Sequence, residues 1–304
     1  MFRYLLGRLG MALLVALTVS IISFALIYMS GDPAVALAGE NATPDVIAQI
    51  RAQYGYDRPL PVQYIDWLFH ALRGDFGISP YFKLQVSSLI ADRLKITMTL
   101  GVLGISFAIL VGVPMGVLAA TRPNSLIDRM ALFIAVVGQA IPSFWFGLIL
   151  IVAFAVKLGW LPASGADSWE GFVLPTIVLG YYATPAIMRL TRTGMLEVLS
   201  SDYIRTARAK GVKPRKILFK HALRNAIIPV VSLAAVQVGF MLGGSVVTES
   251  VFALHGAGYL AWQSISRNDL PTVQALILVF SLFYIFFTFL SDVLNAWLDP
   301  RLRG

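Results

Sequence analysis

Six stretches of 18 to 27 residues contain no Asp, Glu, Lys or Arg. They cover residues 9–31, 96–121, 130–156, 171–188, 225–248 and 270–291. About 20 apolar residues are needed to cross the hydrocarbon core of a bilayer. Inside lipid every backbone N–H and C=O must be satisfied within the protein, which a helix does within one segment. The sequence is therefore read as an all-α integral membrane protein, a single transmembrane domain over 1–304 with six transmembrane helices. Composition agrees, because only 13% of residues are charged against roughly 25% in a soluble domain. The fourth stretch is the shortest and carries Pro175 and Pro185, so its ends are the least sharply marked.

The first stretch has features of a secretory signal, with Arg3 and Arg8 before it and Ala34-Val35-Ala36 after it. Its 23 uncharged residues exceed the roughly 7–15 of a cleaved apolar region, so it is read as a retained helix. Six crossings bring both termini to one side. If that side is the cytoplasm, segments 1–8, 121–130, 189–224 and 299–304 hold 16 of the 24 Lys and Arg. Excess Lys and Arg marks the cytoplasmic face, so both termini are expected there, with an extracytoplasmic loop at 32–95.

Two loops are longer than a connection requires. In the outer one, Thr43-Pro44-Asp45 reads as an N-cap, a first-position proline and an early acid, which starts a short helix. Beyond it, Tyr64, Trp67, Leu68 and Ala71 share one helical face, as in a helix that lies on the membrane or packs against the bundle. The other long loop, 189–224, carries ten Lys and Arg and two acids. Ser201 or Asp202 caps a helix that runs through Ala209 and stops at Gly211, and Pro214 opens a second helix reaching about Asn225. Taken by its residues, this basic helical hairpin fits a topogenic signal, a lipid-attracting patch or a docking element for a cytoplasmic partner. Its tether between two membrane spans argues against nucleic acid.

The spans offer few polar groups. Gln139, Ser143, Thr176, Gln237 and Ser245 are the pathway candidates, each also readable as an interhelical hydrogen-bond partner. Gly112 with Gly116, and Gly239 with Gly243, have the spacing that lets helices approach closely. Pro114, Pro142 and Pro185 permit kinks. The sequence has no Gly-Lys dipeptide and hence no Walker A loop. It has no cysteine, and its three histidines, His70, His221 and His255, are scattered. No catalytic residue, metal site or cofactor of its own is expected. The absence of a mid-membrane acidic pair and of an internal repeat weakens an ion-coupled secondary carrier, which stays as the alternative.

The stretch "DYIRTARAKGVKPRKILFKHALRNAIIPV", with "GDPAVALAGE", "YGYDRPLPVQYIDWLFHALRGDFGIS", "VQVGFMLGGSVVTESVF" and "DVLNAWLDPRLR", closely resembles the membrane permeases of the dipeptide, oligopeptide and nickel class of ABC importers. The resemblance runs over essentially the whole chain. It implies a type I importer permease fold in the bacterial inner membrane, in which 189–224 is the coupling loop that seats in an ATPase subunit. Tyr203, Arg205, Thr206, Ala207, Ala209, Lys210 and Gly211 would then make that contact. The wider importer pattern has Glu-Ala-Ala, three residues, then Gly; counting back from Gly211 gives Arg205-Thr206-Ala207, so the glutamate is replaced by Arg205. The resemblance further implies a homologous second permease, two ATP-binding subunits that hold ATP and Mg, and an extracytoplasmic substrate-binding protein. Cargo stays open among dipeptides, oligopeptides, glutathione and nickel complexes. The segment "KLGWLPASGADSWEGF" resembles the glutathione-type members.

Overall fold

A computed structural model describes residues 2–29, 31–39 and 42–298. Among the described residues the regular structure is helical, apart from one isolated bridge between Ile78 and Gln85. α1 (Phe2–Met29) is followed by three short helices, α2 (Pro33–Ala38), α3 (Pro44–Tyr54) and α4 (Leu60–Leu72). α5 (Val86–Thr121), α6 (Leu126–Ala140) and α7 (Ser143–Leu150) come next, the last running into a π-helical turn, Ile151–Lys157. α8 (Val173–Ser200) leads into the basic hairpin. There α9 (Asp202–Ala209) is followed by α10 (Pro214–Lys216), a second π-helical turn (Ile217–Leu223) and α11 (Arg224–Ala226). α12 (Ile228–Val251), α13 (Ala257–Ser266) and α14 (Leu270–Leu298) complete the fold.

Among the described residues five helices are long and apolar enough to cross a membrane, and α6 with α7 and its π turn form an apolar pair bent by 102°, which makes six if the pair is one span. The 130–156 stretch, read as one helix, is thus broken at residues 141–142. Pro142 adopts φ −60°, ψ 134° ahead of α7, because proline cannot donate into the helical ladder of the preceding turn. The other difference is one of length. α5 begins at Val86, inside the expected loop 32–95, and α8 continues to Ser200, inside the expected loop 189–224. A helix that leaves the bilayer tolerates charged residues, so uncharged runs mark the lipid-embedded part of these helices only.

α5 and α8 form the centre of the bundle, and small residues set their separation. A Cβ on Gly112 would stand 2.9 Å from the Thr184 carbonyl oxygen, and one on Gly116 only 2.6 Å from that of Met188. Gly180 of α8 faces the Gly104 carbonyl at 2.6 Å in the same way. Around this pair lie Leu100, Ala108, Leu174, Val178, Ile187 and Met195, all buried. The second glycine pair behaves unevenly: Gly239 lies against Tyr284 of α14, whereas Gly243 has open space around it. α1 lies outermost, with Leu13, Leu14, Leu17, Ile21 and Ile22 exposed, as expected of side chains that face lipid.

α4 packs on α1 through the face predicted from its periodicity. Tyr64 Oη shares a hydrogen bond with Ser20 Oγ at 2.7 Å, and Phe24 contacts the rings of Tyr64 and Trp67 at 5.5 and 5.9 Å. Arg8 of α1 pairs with Asp292 of α14 at 3.5 Å. Ser291 Oγ donates to the Ser232 carbonyl at 3.0 Å. The start of α1, the start of α12 and the last turns of α14 therefore share one end of the bundle with the basic hairpin.

Candidate functional site

The basic end is built around α9. Ser201 occupies its N-cap position, but its hydroxyl turns back to the Val198 carbonyl at 2.6 Å and makes no cap bond. At the other end, the Gly211 amide donates to Arg208 O at 3.0 Å and the Val212 amide to Ala207 O at 3.1 Å. These two bonds are a Schellman closure, which needs a left-handed residue at the position Gly211 holds with φ +72°. A Cβ there would meet nothing within 4 Å, so the glycine serves the turn and leaves its surroundings open.

One side chain, Ile204, is fully buried and anchors α9 to the bundle. Tyr203 braces the hairpin, because Asn225 Nδ2 donates to its hydroxyl at 2.8 Å and that hydroxyl donates to the His221 carbonyl at 3.3 Å. Arg205, Thr206, Ala209, Lys210 and Gly211 are exposed, and Ala207 is half-buried. Arg205 is held along the helix by Asp202 at 3.2 Å. Behind α9, a groove of about 790 Å³ runs between Leu196, Leu199, Val212, Ile217 and Leu218, with Arg208 and Arg215 at its lip.

The hairpin is rooted in a buried ion pair. Asp128, 2% exposed, accepts two bonds from Arg192 of α8, at 2.6 Å from Nε and 2.7 Å from a terminal nitrogen. Its second oxygen also takes the Asn124 amide at 2.9 Å, while its own amide donates to Ser125 Oγ at 3.3 Å. The helix start of α6 is thereby bolted to the helix that carries α9.

The opposite end also rests on buried carboxylates. Glu249, at the end of α12, is fully buried. Its Oε1 accepts from Thr97 Oγ1 at 2.7 Å and its Oε2 from the Tyr259 amide at 2.8 Å. Thr97 in turn receives the Ala257 amide at 2.8 Å. The carboxylate and threonine of two other helices thus cap α13, whose first amides lack helical partners. Gly256 makes room for this, because a Cβ there would sit 2.5 Å from Glu249 Oε2. Asp269, 1% exposed, repeats the arrangement: it takes the Ser79 hydroxyl and, at 3.4 Å, the Thr272 amide of α14. Nearer the surface, Asp32 caps α2 through the Ala34 amide at 2.9 Å and pairs with Arg51. Desolvation pushes the Asp32 carboxyl up, but those partners outweigh it and hold the group below its usual range.

The pathway candidates lie on three parts of the chain: the α6–α7 break, α8 and α12. Gln139 and Ser143 flank the break between α6 and α7; Arg189 of α8 donates to Gln139 Oε1 at 3.2 Å, and Tyr181 Oη of α8 to the Ile141 carbonyl at 2.5 Å. Gln237 is half-buried on α12. Thr176 Oγ1 is buried without a partner. Ser245 lies inside the α12–α13 contact, 1% exposed and donating to Leu242 O at 2.8 Å. Asp128, Arg192, Glu249 and Asp269 are not evident from uncharged runs, which end at every acid or base. The signals that point to two of them are Gly256-x-Gly258 just after Glu249, and Asp269-Leu270-Pro271, an acid followed by a helix-opening proline.

Among the described residues no cluster of His, Cys, Asp or Glu has metal-ligand geometry. The described residues form a bundle of apolar helices, held together internally and offering an exposed cationic hairpin at one end. The sequence profile of binding-protein-dependent transport system inner membrane components matches residues 112–304, and that of their N-terminal region matches residues 1–101. The chain belongs to this family, and it is a multi-pass permease subunit of an ABC importer of the bacterial inner membrane. It is 42% identical to the glutathione transport system permease protein GsiC of Salmonella typhimurium, over 100% of this chain and 99% of that protein. The GsiC of Escherichia coli K12 is 41% identical over the same shares. The fold resembles the MetNI methionine ABC transporter in an inward-facing conformation, with TM-score 0.57 and 22% identity over 69% of this chain and 96% of that one. An amino acid ABC transporter gives TM-score 0.54 and 18% identity over 69% and 94%.

Proposed function

We propose that this permease imports glutathione or closely related short peptides, and that α9 is the element through which ATP hydrolysis drives it. Full-length identity above 40% to glutathione permeases supports the cargo class. The observation that carries the coupling role is the form of α9: a short helix, exposed on its outer face, anchored by Ile204 and closed by Gly211. Such a helix moves as one piece with α8 when pushed. Tyr203, Arg205, Thr206, Ala207, Ala209, Lys210 and Gly211 form the surface offered to an ATPase, with Tyr203 also bracing the hairpin. The excess of Lys and Arg in 1–8, 121–130, 189–224 and 299–304 supports a cytoplasmic position for this end and for both termini.

In this reading the chain performs no bond chemistry. ATP and Mg are held by two separate ATP-binding subunits, a homologous second permease completes the path, and an extracytoplasmic binding protein delivers cargo at the end built on Glu249 and Asp269. Gln139, Ser143 and Gln237 line the pathway. Ser245 joins them when α13 separates from α12. The test is uptake of labelled glutathione by proteoliposomes holding the complete set of subunits. ATP-dependent accumulation that needs the binding protein is the expected result. Uptake by this chain alone under an ion gradient would instead establish a secondary carrier.

A further inference from the structure

Two arginines stand one turn apart on α8, and the fold treats them differently. Arg192 is held by Asp128 through two hydrogen bonds, at 2.6 and 2.7 Å. Arg189 is exposed and, among the described residues, forms no ion pair. Its guanidinium donates from Nη1 to Gln139 Oε1 at 3.2 Å, and the rest of its N–H fork stays free.

The direction of this side chain is unusual. α6 runs antiparallel to α8, because Asp128 near its start meets Arg192 and Ile141 just past its end meets Tyr181. Arg189 therefore reaches back along α8 toward the α6–α7 break, away from the basic hairpin. Gln139, which it meets there, stands nine residues inside the uncharged run 130–156, about 14 Å along the helix. A long cationic side chain at the edge of the apolar layer ordinarily snorkels outward to water. Arg189 points the other way. A charge at that depth faces the bundle interior or a water-filled cavity and not lipid.

The backbone beside it is fixed. Tyr181 Oη donates to the Ile141 carbonyl at 2.5 Å, and its ring packs on Phe146 with centroids 4.6 Å apart. These contacts hold both sides of the bend against α8, so Gln139 aims the guanidinium from a set position. The free donors form a planar fork that suits a carboxylate, which accepts parallel bonds from it. An unblocked peptide carries such a group at its C-terminus.

We infer that Arg189 binds a carboxylate of the cargo as it passes the α6–α7 break, a role that rests on the import of glutathione or short peptides proposed above. Gln139 is the residue that positions the guanidinium. A carboxylate supplied permanently by a neighbouring subunit is the other way to neutralise the charge, and assembly separates the two.

The test uses the complete importer in proteoliposomes with labelled glutathione. Arg189→Gln should lower uptake per ATP about tenfold, the scale of one charged hydrogen bond, while subunit assembly and thermal stability stay unchanged. The chain has no cysteine, so Arg189→Cys adds a single thiol to it. Alkylation of that thiol with bromoethylamine returns a positive charge and should recover most of the uptake. Iodoacetamide, which adds no charge, should not. The same treatments of the unaltered importer control for thiols of the other subunits. Loss of assembly in Arg189→Gln would reveal a permanent ion pair between subunits and overturn the proposal. So would undiminished uptake by that variant, or an introduced thiol that bromoethylamine does not reach. If the unaltered importer takes up no glutathione or short peptide, the import reading itself fails, and this role falls with it.

Discussion

The two ends of this bundle put their ionisable side chains to different use. At the basic end, charge is displayed: α9 keeps a single buried anchor, Ile204, and turns Arg205 and Lys210 outward. At the opposite end, acidic side chains are enclosed: Glu249 and Asp269 sit inside the fold as caps for α13 and α14. Around α9 itself the closing contacts are local, such as Arg205 with Asp202 three residues away and Val212 with Ala207 five away. Those at the opposite end join segments 152 and 190 residues apart. One end is a handle that keeps its own shape, and the other is a lock that exists only when distant helices meet.

The contrast can be broken from the lock side first. Glu249→Ala abandons the Thr97 hydroxyl and the Tyr259 amide in a dry site, at roughly 1–3 kcal/mol for each. Thermal unfolding of the detergent-solubilised protein should show the largest destabilisation of the series, and Glu249→Gln, which retains an acceptor oxygen, a smaller one. Next comes the root of the handle. Asp128→Asn removes the charge that Arg192 grips and should cost about 2 kcal/mol, the scale of hydrogen bonds to charged groups. Because α6 is then less firmly held to α8, transport per ATP should fall in the complete importer. Arg205→Ala with Lys210→Ala should be the mildest for stability, within about 0.5 kcal/mol as for most surface changes. Its effect should be read in retention of the ATPase subunits on co-purification. A double variant that unfolds as readily as Glu249→Ala would erase the distinction between the ends.

The distinction also explains what was legible in the sequence. The uncharged runs place the helices because lipid enforces helix formation and excludes charge. They misplace helix ends wherever a helix continues into water, as α5 does through Asp92, Arg93 and Lys95 and α8 does as far as Ser200. The bend at Pro142 is marked by the proline, but its size is not: apolar residues run through it unbroken, and hydropathy carries no information on direction. The handle is readable because caps and turns are local, and Gly211 and Pro214 mark them. The lock is not, because Thr97, Glu249 and Tyr259 are brought together only by packing. The same rule that finds spans by their lack of charge consigns Glu249 and Asp269 to loops, although both are buried.

The central claim is that α9, closed by Gly211, passes motion between ATPase and membrane helices. Gly211→Pro denies the left-handed φ of +72° and removes the amide that donates to Arg208 O, while touching nothing in the bundle core. The measurement is ATP hydrolysis and glutathione uptake side by side in proteoliposomes of the complete importer. Hydrolysis that continues while uptake collapses is the predicted result. Uptake per ATP equal to that of the unaltered importer would contradict the account.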